Sequence, residues 1–365
     1  MNLKSIYNRK KILVTGNTGF KGSWLATWLK QLGAEVIGLS KDIPTIPSIF
    51  VEARHENKIT YLEEDIKNID KISKIISDIK PDFVFHLAAQ PLVRLSYDNP
   101  LLTIESNALG TANVLESLRI SNHKCTAVFI TSDKAYDNVE WTWGYRENDP
   151  LGGKDPYSAS KGMAELAIKT YAHSFFSRSD SNVKVAVGRA GNVIGGGDWA
   201  KDRIVPDAMR SWSKNEALEI RSPFATRPWQ HVLEPLSGYL LLGAMLYENP
   251  KLNSEAFNFG PGAEQNFTVS DLLTEMKNHW PGAVWKDISS QAETRHEAGL
   301  LKLCCDKALH TLGWKPSLTF EENCAMTVEW YRAFYQGKAD VWELTLQQIQ
   351  AYSNFALERK CGWTI

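Results

Sequence analysis

Residues 11–32 impose a demand that few folds satisfy. An apolar run at 11–14 enters Thr15-Gly16-Asn17-Thr18-Gly19-Phe20-Lys21-Gly22, and a helical pattern then carries Trp24, Leu25, Trp28, Leu29 and Leu32 on one side. The Gly-x-x-Gly-x-x-Gly spacing lets a strand turn tightly into a helix. It also lets backbone N–H groups approach a pyrophosphate, which the positive end of the helix favours. In this strand-turn-helix setting the turn reads as a dinucleotide site lined by Gly16, Asn17, Gly19, Phe20, Lys21 and Gly22.

Strand-like runs recur at 35–39, 59–62, 83–85, 127–130 and 183–187, with helical patterns such as Ile69, Ile72, Ile76 and Ile79 between them. Strands that alternate with helices predict an α/β fold with a doubly wound parallel sheet, a Rossmann domain. We expect it over residues 1–188, with a later segment at about 230–260 returning to it, and a smaller α/β lobe mainly from 189–365. A chain of 365 residues can bury a core for both.

The second strand ends Ser40-Lys41-Asp42 and not on a carboxylate. Ser40 suits the free 2'-hydroxyl of NAD, whereas Lys41 suits the 2'-phosphate of NADP. Asp65, with Ile66 beside it, suits an adenine amino group; its other role is N-cap of the helix carrying Ile69. Small residues in Leu87-Ala88-Ala89 would let the chain pass close beside a cofactor. His86 reads as a core histidine before it reads as a catalyst. Asn107 falls among apolar helix positions and needs a partner, such as the end of a neighbouring strand.

The fifth strand ends on Thr131-Ser132-Asp133-Lys134, a hydroxyl, a carboxylate and an amine delivered where open α/β sheets bind their ligands. One loop later come Tyr157 and Lys161, which share a helix face. The loop at 137–156 holds Trp141, Trp143, Gly144, Gly152 and Gly153 and reads either as a cover over a cleft or as a plain surface loop. Beyond it, Asn192, Trp199, Arg203, Arg227, Trp229, Gln230, His231, Arg295 and His296 suit a pocket for an anionic diphosphate and a flat base. Trp330, Tyr331, Phe334 and Tyr335 have the spacing of core or interface residues.

A net charge of -1 leaves no basic footprint for nucleic acid. Five cysteines without metal-ligand spacing suggest reduced thiols in the cytoplasm and no metal site. The apolar stretch at 239–247 is half a membrane span, so no membrane segment is expected.

Longer runs carry a resemblance. Thr15-Gly16-x-x-Gly19-Phe20-x-Gly22, Asn107 and Tyr157-x-x-x-Lys161 resemble the extended short-chain dehydrogenases acting on nucleotide sugars. The runs at 88–97, 131–134, 190–199 and 227–232 are similar, nearly word for word, to the CDP-glucose 4,6-dehydratases among them. The resemblance implies bound NAD, with NADP as the minority alternative because of Ser40-Lys41. It also implies CDP-glucose as substrate, contacts from Gln90, Asn192, Trp199, Arg203, Arg227, Gln230 and His296, and a place in deoxysugar and O-antigen biosynthesis. Tyr157 would be the C4 base, Lys161 its electrostatic support and ribose anchor, Ser132 the group that positions the C4 oxygen, and Asp133 the acid for the C6 hydroxyl. Lys134 would take the C5 proton as a neutral amine, or else stay charged and steady the enolate. Homodimers or homotetramers through a four-helix bundle are implied as well. Another nucleotide-sugar 4,6-dehydratase, or a 4-epimerase or reductase, is the alternative on the same fold.

Overall fold

A computed structural model describes residues 2–289, 300–337 and 339–364. Helix α1 (Leu3–Tyr7) precedes β1 (Lys11–Thr15), α2 (Phe20–Gln31), β2 (Glu35–Ser40), α3 (Ile49–Glu52), β3 (Thr60–Glu63), α4 (Ile69–Ile79) and β4 (Phe83–His86). Three helices, α5 (Val93–Asp98), α6 (Pro100–Ile104) and α7 (Gly110–Ser121), lead to β5 (Cys125–Ser132), α8 (Pro156–Tyr171) and β6 (Val183–Ala190). The second half contributes β7 (Val193–Ile194), α9 (Ile204–Ser213), β8 (Leu218–Ile220), β9 (Thr226–Arg227) and β10 (Gln230–His231). It continues through α10 (Leu233–Glu248), β11 (Ala256–Phe259), β12 (Phe267–Thr268), α11 (Val269–Asn278) and β13 (Trp285–Asp287), and closes with α12 (Phe320–Tyr335) and α13 (Val341–Glu358).

Seven strands form one parallel sheet in the order β11-β6-β5-β4-β1-β2-β3. β4 is buried along its whole length, as strands covered on both faces must be. Ile72 and Ile76 of α4, Val114, Leu115 and Leu118 of α7 and Ile168 of α8 cover one face. Trp24 and Trp28 of α2, Tyr239 and Leu240 of α10 and Tyr352 of α13 cover the other. Helix α10 packs back against β5 and β6, and its following strand β11 supplies the sheet edge. Outside the large sheet, the described residues form short pairings of β7 with β10, β9 with β12 and β8 with β13. Trp330, Tyr331 and Phe334 gather around Trp199 there. No helix among the described residues is long and apolar enough to cross a membrane.

Helix α4 is capped by Asn68, whose side chain accepts from Lys71 N–H. Asp65 instead accepts from Lys67 N–H at 2.9 Å, closing the turn ahead of that cap. The cap had to sit directly before the first helical residue, and three positions earlier was too far.

The glycine turn is as crowded as its spacing suggests. Gly16 has φ +76°, and a Cβ there would lie 2.7 Å from Ala88 N. A Cβ on Gly22 would lie 2.1 Å from Gly16 O, a backbone atom that cannot move aside. Gly22→Ala is therefore expected to cost at least ~2 kcal/mol, or roughly 3 °C in Tm for 365 residues, measurable by calorimetry.

Three histidines are buried without charge: His55, His86 and His231, each pulled by burial from 6.5 to about 3. His86 is satisfied between Thr15 Oγ1 at 2.8 Å and Thr111 Oγ1 at 3.1 Å, which is a core role. The unfolded chain binds protons at these sites below about pH 6.5 and the folded chain does not until near pH 3. Stability present above pH 6.5 is thus lost as pH falls through that window, by about 1 kcal/mol per pH unit for each histidine. Urea unfolding at stepped pH values measures it.

Candidate active site

Strand β5 ends by handing its last residue, Ser132, to a single turn of 3-10 helix at Asp133–Ala135. Ser132 caps that turn by accepting from Lys134 N–H at 3.2 Å, and donates to Asp133 Oδ1 at 2.8 Å. Asp133 is 2% exposed, and its Oδ2 has no hydrogen-bond partner. Burial raises its carboxyl above the usual carboxylate range, against the pull of Lys134, Ser132 and Lys21. Gly191 makes the room: a Cβ there would meet Asp133 Oδ2 at 2.9 Å. Lys134 is half-buried and near enough to Asp133 for its charge to favour the carboxylate.

Helix α8 begins opposite, with Asp155 as N-cap accepting from Ser158 N–H and Pro156 in its first turn. It presents Tyr157 and Lys161 one turn apart, both buried. The Tyr157 phenol is pushed up to about 12 by burial, opposed by its hydrogen bond with Ser132 and by Arg203, while Asp133 and Asp155 add to the rise. Lys161 is pulled down to about 8 by burial, against Glu165. Asp133, Tyr157 and Lys161 are thus buried, and Ser132 half-buried, where the C-terminal end of β5 meets the first turns of α8.

The turn residues Gly16 to Gly22 adjoin this site. Helix α2 starts after Gly19 without a side-chain cap, leaving its first N–H groups directed at the cleft. Lys21, half-buried, is pulled down to about 8 by burial, against Asp133 and with Arg203 and Lys161. Asn17 is sealed beneath Gly38 with Nδ2 unpartnered, and its Oδ1 accepts from Ser40 Oγ at 2.9 Å. Thr18 N–H donates to the same Ser40 oxygen at 3.2 Å. Leu87 N–H bonds Thr15 O and Ala88 N–H bonds Thr15 Oγ1, which draws Ala88 against Gly16. Ile66 is buried under Gly110 of α7.

Several other candidates hold hydrogen-bond partners of their own. Asn107 accepts from Gln90 N–H and donates to Gln90 O and Ser160 Oγ, so it ties the end of β4 to α8. Gln90 is held by Leu92 in its own loop and donates to Thr103 Oγ1 of α6 at 2.8 Å. Trp199 donates to Tyr335 OH and packs among Trp330, Tyr331 and Phe334, inside an aromatic cluster. Gln230 donates to Phe259 O and keeps Oε1 buried and unpartnered. Arg203 pairs with Asp198 at 2.8 Å and faces Tyr157. Arg227 is buried beside the β9–β12 pairing, and Asn192 is half-buried just after β6. Arg295 and His296 lie outside the described residues. The loop at 137–156 is fastened to the segment at 302–304 through Tyr145, which exchanges backbone bonds with Lys302 and Cys304, while Trp143 stays exposed.

One network escaped the sequence reading. Glu165 and Arg189 pair at 2.7 Å, both nearly sealed from solvent. Thr131 Oγ1 donates to Glu165, and Arg189 also donates to Tyr136 OH and Glu147 O. Glu165 lies four residues past Lys161, one helical turn, and that spacing was the available signal.

The family model for GDP-mannose 4,6 dehydratase matches residues 13–327. CDP-glucose 4,6-dehydratase of Salmonella typhimurium is 46% identical over 353 residues, covering 96% of this chain and 98% of that one. dTDP-glucose 4,6-dehydratase of Streptomyces antibioticus is 26% identical, over 88% of this chain and 92% of its own. Among solved structures, UDP-glucose 4-epimerase of Thermotoga maritima with UDP-glucose aligns at TM-score 0.74 and 25% identity, covering 89% of this chain and 99% of the other. With the family model spanning most of the chain and a dehydratase matched over nearly its full length, the chain belongs to the GDP-mannose 4,6 dehydratase family of nucleotide-sugar 4,6-dehydratases.

Proposed function

We propose that the chain is a hydro-lyase that converts CDP-D-glucose to CDP-4-dehydro-6-deoxy-D-glucose and water, with NAD as resident cofactor. The observation that carries this reading is the buried Asp133, one hydrogen bond from Ser132 and so from Tyr157. A transient C4 oxidation alone needs Ser132, Tyr157 and Lys161; a buried carboxyl held towards its protonated form adds the acid that expulsion of the C6 hydroxyl requires. The relative with 46% identity supports the cytidine nucleotide. A 4-epimerase would have no use for that acid.

The residues present fit a dinucleotide. Gly16 and Gly22 leave no room for side chains where a pyrophosphate would approach, and the uncapped start of α2 offers its N–H groups. Ser40 spends its hydrogen on Asn17 and so offers only a lone pair, which suits a donating 2'-hydroxyl and repels a 2'-phosphate. Lys41 lies 3.7 Å from Asp42 on the exposed side, its charge offset. These two features favour NAD over NADP. Bound there, the nicotinamide dinucleotide would accept a hydride from C4 and later return it to C6.

The chain's own groups manage the protons. Tyr157 takes the C4 hydroxyl proton, and it needs the nearby cations to act as a phenolate, since burial alone opposes the anion. Ser132 holds the C4 oxygen, and Lys161 supports the phenolate and the cofactor ribose. Asp133 protonates the departing C6 hydroxyl, and Lys134, on the same turn, takes the C5 proton made acidic by the C4 ketone. Lys134→Met is expected to slow exchange of the C5 hydrogen with deuterated water about a hundredfold, with C4 oxidation within a few-fold. Lys134→Glu, which restores a base, should keep the exchange. Loss of exchange in both variants would give Lys134 an electrostatic role instead.

Helices α6 to α8 present Leu101, Leu109, Met163 and Leu166 to solvent, with Leu166 54% exposed. We assign these faces to a homodimer or homotetramer built on a four-helix bundle, in the cytoplasm, where the free cysteines stay reduced. A panel of CDP-glucose, dTDP-glucose and GDP-mannose, read by the alkaline absorbance of the 4-keto product, tests the substrate. Product from GDP-mannose alone would overturn the cytidine assignment.

A further inference from the structure

The helix that carries Asp133 and Lys134 is a single turn, too short to hold its own shape. At its front, Ser132 belongs to β5 and accepts from Lys134 N–H. At its back stands Tyr136, whose N–H donates to Asp133 O at 3.3 Å. Where Tyr136 is held therefore decides where the two side chains ahead of it are delivered.

Tyr136 is buried and held by both its ring and its hydroxyl. The ring stacks on Tyr145 with centroids 5.2 Å apart, and the Arg189 guanidinium lies 4.9 Å from its centre. The hydroxyl donates to Asn258 Oδ1 at 2.8 Å and accepts from Arg189 Nη1 at 2.7 Å. Both directions are forced. Asn258 Nδ2 donates to Tyr145 O at 2.8 Å and to Cys304 O at 3.1 Å, so its oxygen must face the phenol, and a guanidinium can only donate.

The anchor is built into the sheet itself. Arg189 on β6 is the register partner of Thr131 on β5 and of Asn258 on β11, so the three side chains form a row across adjacent strands on one face. Glu165 of α8 binds two members of that row, accepting from Thr131 Oγ1 and from Arg189 Nε. Asn258 closes the far end, its own N–H donating to Glu147 Oε1 at 2.8 Å. Thr131 directly precedes Ser132. The one row thus fixes both ends of the turn, the front through Thr131 and the back through Tyr136.

We infer that Tyr136 is a positioning residue for the elimination, holding Asp133 and Lys134 where they serve C6 and C5. It acts through the turn and not on the substrate. This rests on the dehydratase reading and sharpens it. Tyr157 and Lys161, which serve C4 oxidation, are carried by α8 and not by the turn. The two halves of the reaction therefore have separate supports, and loosening the turn should slow one of them.

Tyr136→Phe tests this, because it keeps the ring and removes only the oxygen. Enzyme with bound NAD, in excess over CDP-glucose, is followed through one turnover by the near-ultraviolet absorbance of reduced nicotinamide. Hydride leaving C4 makes that absorbance rise. It falls only after the C5 proton has gone to Lys134, the C6 hydroxyl has left as water with the proton of Asp133, and hydride has reached C6. In Tyr136→Phe the fall should be about 10–100-fold slower than in wild type, while the rise stays within about threefold. Amide hydrogen exchange across 133–136, read without substrate, should quicken on the order of tenfold. Tyr7→Phe, which loses a similarly buried phenol bond to Leu240 O at 2.6 Å, should alter neither phase. Should Tyr136→Phe fail to fold, Asn258→Ala takes away the phenol's acceptor and should give the same signature. Rise and fall slowed alike, or a fall at the wild-type rate, would show that Tyr136 only supports the fold and would overturn the assignment. A wild type that forms no keto-sugar from CDP-glucose would defeat the dehydratase reading itself.

Discussion

Tyr157→Phe is expected to lower turnover of CDP-glucose by about 10²–10⁴-fold, the range a positioned acid–base group supplies. The substitution removes one oxygen from a ring that is already buried against β5 and the start of α8, so the fold and the affinity for substrate should survive. The lost oxygen is the one hydrogen-bonded to Ser132 and close enough to Arg203 and Asp133 for each to shift its proton affinity. Tyr136, on the turn after Asp133, is committed to Arg189 and Asn258. Single-turnover quench measures the rate, and calorimetric titration with CDP-glucose checks binding. Turnover within about tenfold of wild type would place the first base elsewhere.

The second large effect lies behind the site. Glu165→Gln should destabilise the chain by roughly 3–5 kcal/mol, because it leaves the buried Arg189 guanidinium without a counter-charge. At about 1.3 °C per kcal/mol for 365 residues, Tm should fall by roughly 4–7 °C. Restoring neutrality with Glu165→Gln/Arg189→Met should recover most of that loss, since the penalty arises from an unpaired charge more than from the pair itself. Thermal unfolding of the two variants side by side measures it, and a double variant no more stable than the single one would contradict the explanation. Thr131 donates to the same carboxylate and directly precedes Ser132, so the network also fixes where β5 delivers its catalytic residues.

What could be read from the sequence was what depends on local geometry. Gly16 to Gly22 had to be a strand-to-helix turn because only glycines fit that crossing, and Tyr157 and Lys161 had to share a face because they are one helical turn apart. Ser132 and Asp133 were placed by an apolar strand that ends on polar residues. The direction of a side chain relative to distant segments was less accessible. Gln90 and Trp199 were assigned to the substrate on type and motif; their packing, Gln90 bonded to Thr103 of α6 and Trp199 against a helix more than a hundred residues later, could not be read locally. Glu165 and Arg189 are far apart in sequence, and only the pairing of β5 with β6 and the packing of α8 bring them together. Lys134 could be read as a neutral base or a charged stabiliser, and the short turn that begins at Asp133 leaves it half-exposed.

The central claim is that one hydride leaves C4 and arrives at C6 of the same sugar while Asp133 and Lys134 manage the water lost between. CDP-glucose carrying deuterium at C4 tests it in one measurement, with the product read by NMR and mass spectrometry. The account predicts a 4-keto-6-deoxy sugar whose methyl group holds a single deuterium, with none released to solvent. A methyl group without deuterium, or recovery of a sugar that keeps its C6 hydroxyl, would contradict it.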